Sequence, residues 1–155
     1  MKTLCLYYTR TNTTKEIMEN IAKIIGADVA EYTDGKDRSG IPGYIGACFA
    51  TVNNVISGVS IKGEINIKEY DRLIIGMPVW VEGPCAIGRA LIKKYSSVMP
   101  SEVYYVVMHM GKRDYAAKIK AMDGLLGRPS AGQVSIRTKK NNYIKESTAF
   151  AETLV

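Results

Sequence analysis

Short, dense apolar runs alternate along this chain with stretches in which apolar residues recur every three or four positions. Thr3–Tyr8 is of the first kind: brief, apolar and aromatic, it reads as a buried strand. Thr14–Ile25 is of the second, with Ile17, Ile21, Ile24 and Ile25 on helical spacing and Gly26 as the stop. Ala27–Tyr32 predicts a second strand and Asp71–Met77 a third, whose run Leu73-Ile74-Ile75 suits a strand covered on both faces. Cys85–Tyr95 follows as a helix, Val103–Met108 as a fourth strand and Tyr115–Leu126 as a helix. Gln133–Ile136 is a fifth strand and Asn142–Thr153 a closing helix. Between Thr33 and Glu69 the pattern changes. Gly35, Gly40, Pro42, Gly43 and Gly46 precede an apolar stretch, Ala47–Ile56, and then a polar loop. This segment predicts a loop, a helix and a connector in place of a simple crossover.

Strands alternating with helices, and apolar enough to be covered twice, imply a parallel sheet with helices on both faces. The expected fold class is therefore α/β, a three-layer, doubly wound parallel sheet of five strands. The 155 residues form one domain, 1–155, with no internal repeat or linker. Composition agrees: 46% hydrophobic and 23% charged residues describe a globular chain, not a disordered one. The apolar run Leu73–Val81 falls far short of the roughly 20 residues that span a bilayer. No membrane span is expected. The short apolar start, ending at Thr9 and Arg10, does not read as a secretory signal, so a cytoplasmic location is expected.

Cysteine and histidine narrow the chemistry. Cys5, Cys48 and Cys85 are odd in number, widely spread and include no C-x-x-C pair, so no disulfide framework is expected. His109 is the only histidine, which leaves a zinc site short of ligands and excludes two-histidine motifs; no metal is expected. The net charge of +6 is uneven: residues 1–111 carry 12 basic and 11 acidic groups, residues 112–155 carry 9 and 4. The basic residues are not interleaved with aromatics as a single-strand binding surface requires. We read the excess as a solvated face of the terminal helices, and expect no nucleic-acid partner.

Three turns carry candidate chemistry. Thr9-Arg10-Thr11-Asn12-Thr13-Thr14 joins the first strand to the first helix and packs four hydroxyls and an amide into six residues. A helix N-terminus leaves backbone N–H groups unpaired and carries partial positive charge, so such a turn suits a phosphate dianion. A single threonine would be no more than a cap. Neither G-x-x-x-x-G-K-[ST] nor G-x-G-x-x-G is present. Gly76-Met77-Pro78-Val79-Trp80-Val81-Glu82-Gly83-Pro84 follows the third strand, with the chain's only tryptophan expected at the tip of a fixed loop, facing a flat ligand. His109-Met110-Gly111-Lys112 follows the fourth strand and is weak alone. With strands in the order 2-1-3-4-5, all three turns converge on the crevice where the strand order reverses.

These residues resemble the flavodoxin-like FMN proteins. Thr9, Thr11 and Thr14 fall on the hydroxyl positions of that family's [ST]-x-T-G-x-T phosphate loop, with Asn12 in place of its glycine. Asn is the best non-glycine residue where positive φ is needed. Gly76-Met77-Pro78-Val79-Trp80 resembles the G-T-P-V-W loop that packs along the isoalloxazine. His109-Met110-Gly111 falls where a third loop holds the pyrimidine edge. Asp37-Arg38-Ser39-Gly40, with Gly43-Tyr44, is similar to a branch of small flavodoxin-like proteins. The resemblance implies FMN as cofactor and Thr9, Arg10, Thr11, Asn12, Thr13, Thr14, Pro78, Val79, Trp80, Val81, Glu82, Gly83, His109, Met110 and Gly111 as its binding residues. It implies electron transfer through a non-covalently bound flavin, with a redox partner protein or a small-molecule acceptor. Two alternatives stay open: an NAD(P)H-dependent quinone or small-molecule reductase, and a module of this fold without flavin. The oligomeric state is open. Cys85, at a helix start, reads as a packing residue rather than a reactive thiol. His109 is a candidate proton donor to a quinone or flavin nitrogen. Arg10, Arg89, Lys112 and Arg113 are expected to surround the flavin with positive charge, opposed by Glu82 and Asp114.

Overall fold

Strand β1 (Thr3–Tyr7) leads into helix α1 (Thr13–Ile25), and β2 (Asp28–Thr33) into α2 (Gly40–Asn53). A short strand, β3 (Ser60–Ile61), and a single 3-10 turn precede β4 (Arg72–Trp80), which folds back as β5 (Gly83–Pro84) before α3 (Ala86–Tyr95). Then come β6 (Glu102–His109), two short helices α4 (Ala116–Lys120) and α5 (Asp123–Leu126), β7 (Gly132–Arg137) and α6 (Tyr143–Glu152). The structure is a computed structural model that describes residues 1–53, 58–139 and 142–155.

The sheet runs β3-β2-β1-β4-β6-β7. Its five long strands are parallel, and β3 adds to the β2 edge antiparallel. The long strands thus stand in the order 2-1-3-4-5 expected from the sequence. Alternation along each strand divides the core between the two faces. Leu4, Leu6, Leu73, Ile75, Val103 and Tyr105 pack on one side with residues of α3, α4 and α5. Cys5, Tyr7, Ile74, Val106 and Met108 pack on the other with α1 and with Ala151 of α6. Burial of each large aliphatic side chain contributes about 1.5–3 kcal/mol, so these central strands anchor the fold.

Several expectations need correction. The helix read over Tyr115–Leu126 is two short helices, broken at Ala121-Met122. Helix α2 begins at Gly40, through the Gly/Pro-rich segment read as loop, because Pro42 and Gly43 stand in the first turn, where proline's missing N–H costs nothing. The end of the Ala47–Ile56 stretch lies outside the described residues. The third strand runs to Trp80 and turns back as β5, so the tip of the turn is Val81-Glu82 and Trp80 is not there. No helix among the described residues is long and apolar enough to cross a membrane.

Candidate functional site

Register places the site. Tyr7 of β1 pairs with Gly76 of β4, and Pro78 of β4 with Met108 of β6, so the carboxyl ends of the three central strands emerge side by side. β1 has β2 on one flank and β4 on the other, which makes the β1/β4 boundary the point of reversal where open α/β sheets hold ligands. A cavity of about 340 Å³ lies there, lined by all three turns singled out in the sequence.

The first turn supplies Arg10, Thr11, Thr13 and Thr14 to the cavity. Asn12 stands at the N-cap of α1 with φ +66°, the left-handed conformation anticipated for it, and no side chain caps the helix. The orphan N–H groups of the first turn thus face outward without a side-chain acceptor. Thr9 does not line this cavity but a separate one beside Asp37 and Arg38, and its Oγ1 is buried with no hydrogen-bond partner. Asn12 likewise shapes the turn without lining the cavity.

The second turn supplies Pro78, Val79, Trp80 and Val81. Trp80 is only 4% exposed. Its ring meets Tyr8 edge-on, with centroids 5.4 Å apart, and the Arg38 guanidinium lies 5.5 Å over it. Arg38 is itself buried and bonded to Asp34 Oδ2 at 2.6 Å. Trp80 is therefore both a core residue and a cavity wall. Val81 holds φ +62°, a strained value for a β-branched residue. Glu82 and Gly83 do not line this cavity; they face a second one across the hairpin. Glu82 accepts hydrogen bonds from Arg113 and Lys118, and Arg113 with Lys118 holds its carboxyl below the usual range.

The third turn supplies His109, Met110 and Gly111. His109 Nδ1 sits 3.0 Å from the Gly111 carbonyl oxygen, which accepts only, so Nδ1 carries the proton and Nε2 is the free nitrogen. The ring packs on Tyr115, centroids 4.9 Å apart. The Thr138 N–H donates to the His109 carbonyl at 2.8 Å, which fastens the turn to the end of β7.

Four cavity residues escaped the sequence reading: Tyr44, Met108, Tyr115 and Thr138. Tyr44 was within a noted segment, and Arg10 stacks on its ring at 5.4 Å. Thr138 reaches the site only through the β6–β7 pairing, which no local pattern discloses. Of the charges expected around the site, Arg10 is in place, Arg113 is paired to Glu82, and Arg89 lines the second cavity. Cys85 is fully buried at the start of α3, accepts from the Gly88 N–H, and burial pushes its thiol up to about 12. It is a packing residue, as read. Among the described residues no group of three metal-binding side chains occurs.

Solved structures share this fold. A flavoprotein of Lactobacillus acidophilus, crystallised in complex with FMN, superposes with a TM-score of 0.70 at 22% identity, covering 86% of this chain and 92% of that one. The fold is flavodoxin-like. Other neighbours agree: the flavodoxin, WrbA-like protein of Agrobacterium tumefaciens has a TM-score of 0.60 at 10% identity, over 98% of this chain and 96% of that one. A flavodoxin from the domain Archaea gives 0.55 at 11% identity, over 99% and 96%. No protein-family model matches the sequence, and no curated protein matches it. The flavodoxin-like fold bears out the architecture expected from the turns and strands.

Proposed function

We propose that this flavodoxin-like chain binds FMN non-covalently in the cavity at the β1/β4 boundary and exchanges electrons through it. The observation that carries the reading is the first turn. An uncapped helix N-terminus, a left-handed Asn12, and the Arg10, Thr11, Thr13 and Thr14 side chains converge on one cavity that also has aromatic walls. Converging N–H and hydroxyl donors suit a phosphate dianion, and Trp80 and Tyr44 suit a flat ring system.

When bound, the flavin supplies the redox chemistry, and the protein supplies position and electrostatics. Arg10 and the first-turn donors hold the phosphate. Trp80, fixed by Tyr8 and Arg38, keeps one wall rigid. The His109 turn, locked by Gly111 and Thr138, presents backbone groups and one free ring nitrogen, an acceptor at Nε2. The rim is apolar: Tyr44, Val81 and Met110 are all exposed. That rim favours an apolar small-molecule acceptor or a partner protein with an apolar contact. The test is titration of the purified protein with FMN, followed by flavin fluorescence and by Trp80 emission. Saturable quenching of both is expected. A protein that leaves both unchanged would make the chain a flavin-free module of this fold.

A further inference from the structure

Helix α2 is built inside out. It carries no charged residue from Gly40 to Asn53, and the residues it buries are Ala47 and Ala50. Its large apolar residues point the other way: Ile41, Tyr44, Ile45, Phe49 and Val52 are all exposed, Ile41 at 77% and Phe49 at 64%. A surface helix ordinarily turns its apolar face to the core and a polar face to water.

The exposed residues form a stripe. Ile41, Ile45, the half-exposed Cys48 and Val52 follow one another at helical intervals of four, three and four, the spacing of a helix–helix seam. Phe49 flanks the seam, one turn from both Ile45 and Val52. Towards the end of the helix Val52 also lines a groove of about 490 Å³ with Val81, Pro84, Met122 and Leu125, so the apolar surface continues beyond α2. The five exposed residues alone present on the order of 700 Å² per copy, against about 800 Å² that each partner gives to a standard interface. Monomeric proteins rarely leave an apolar patch of that size open.

We propose that α2 is the contact face of a homodimer, its Ile41–Val52 stripe packed on the same stripe of a second copy about a two-fold axis. Charge decides the occupant. Each chain carries a net +6, so two copies meeting on charged faces oppose like charges. Two uncharged helices meet without opposing or desolvating any charge. A two-fold axis matches apolar stripe to apolar stripe with no second surface required. A strongly charged protein partner finds no complementary group on α2. A helix that lies on a lipid surface is rich in Lys and Arg along its polar face, and α2 has neither. The dimer requires no occupant of the cavity at the β1/β4 boundary.

Size-exclusion chromatography with light scattering, run on the purified chain at about 50 μM, is expected to give twice the 17.1 kDa of one copy. Ile45→Glu and Phe49→Glu, both at exposed positions, are each expected to return the mass to that of one copy, since either buries an unpaired carboxylate and weakens association by about 100-fold or more. Ser101→Glu, which adds the same charge at an exposed position ahead of β6, is expected to stay dimeric. In the unaltered chain, Cys48 is expected to react with a thiol reagent several-fold more slowly at about 100 μM than at about 1 μM, because association covers it. This second measurement decides the matter should the glutamate variants fail to fold. A single-copy mass for the unaltered chain, a dimer that survives both glutamate variants, or Cys48 reactivity independent of concentration would overturn the proposal. So would a monomer that sediments with phosphatidylglycerol vesicles, which assigns the face to lipid.

Discussion

Trp80 stands where two demands meet. It closes the β4 strand in the core and also walls the candidate FMN cavity. Its truncation to alanine should therefore cost about 3–5 kcal/mol of stability, as large-to-small aromatic changes in cores do, besides weakening flavin affinity. Urea denaturation beside FMN titration separates the two effects. An unchanged midpoint would mean that the packing described for Trp80 is wrong. The Asp34–Arg38 pair behind it is buried on both sides, with side-chain exposures of 1% and 6%. Removing one partner of such a pair leaves an uncompensated charge. Asp34→Ala should thus lose about 3–5 kcal/mol, a fall in Tm on the order of 10 °C for a domain of this size. Cys5 and Cys85 have thiols pushed from 9.0 to about 12 by burial, whereas Cys48 is half-exposed. The folded state keeps thiol protons that the unfolded chain releases. This stabilisation is complete below pH 9 and is lost as pH rises towards 12. In native protein near pH 8, a thiol reagent should label Cys48 alone, and all three cysteines only after denaturation.

At the scale of elements, two turns show why some of the site was legible and some was not. The first turn announced itself through composition: hydroxyls crowd a strand-to-helix junction, and Asn12 takes the positive φ that its residue type permits. Asn12→Gly should leave stability nearly unchanged, whereas Asn12→Ala should cost about 1–2 kcal/mol, the penalty of a left-handed alanine. The second turn misled because prolines and glycines suggested an open loop. In fact Val79 pairs with Pro84 and Trp80 with Gly83, which draws the tryptophan inward and leaves Val81 at the tip. Nothing about valine signals positive φ. Val81→Gly should relieve that strain and raise stability by about 1 kcal/mol, read from chemical denaturation. The three central strands β1, β4 and β6 were legible because burial on both faces writes itself as dense apolar runs, whereas β2 and β7 are half exposed and mix polar with apolar residues. The α4–α5 break was not, since Ile119, Met122 and Leu126 are buried alike and continue a helical spacing across it. Tyr44 and Thr138 reach the site through tertiary pairing, which one-dimensional spacing does not encode.

For the whole molecule, topology decides where chemistry is possible. The reversal of strand order between β1 and β4 brings three distant turns to one edge of the sheet, and their side chains determine what that edge can hold. The central claim is that the first turn is a phosphate site serving a flavin. FMN and riboflavin differ only in the phosphate, so their affinities isolate it. Charge-assisted hydrogen bonds are worth about 1.5–3 kcal/mol each, and two of them correspond to a preference of roughly 100-fold or more. Parallel fluorescence titrations of the purified protein with FMN and riboflavin should give FMN the tighter binding by at least that factor. Equal affinities would contradict the account, because the hydroxyl-rich turn would then contribute nothing to the ligand it is said to hold.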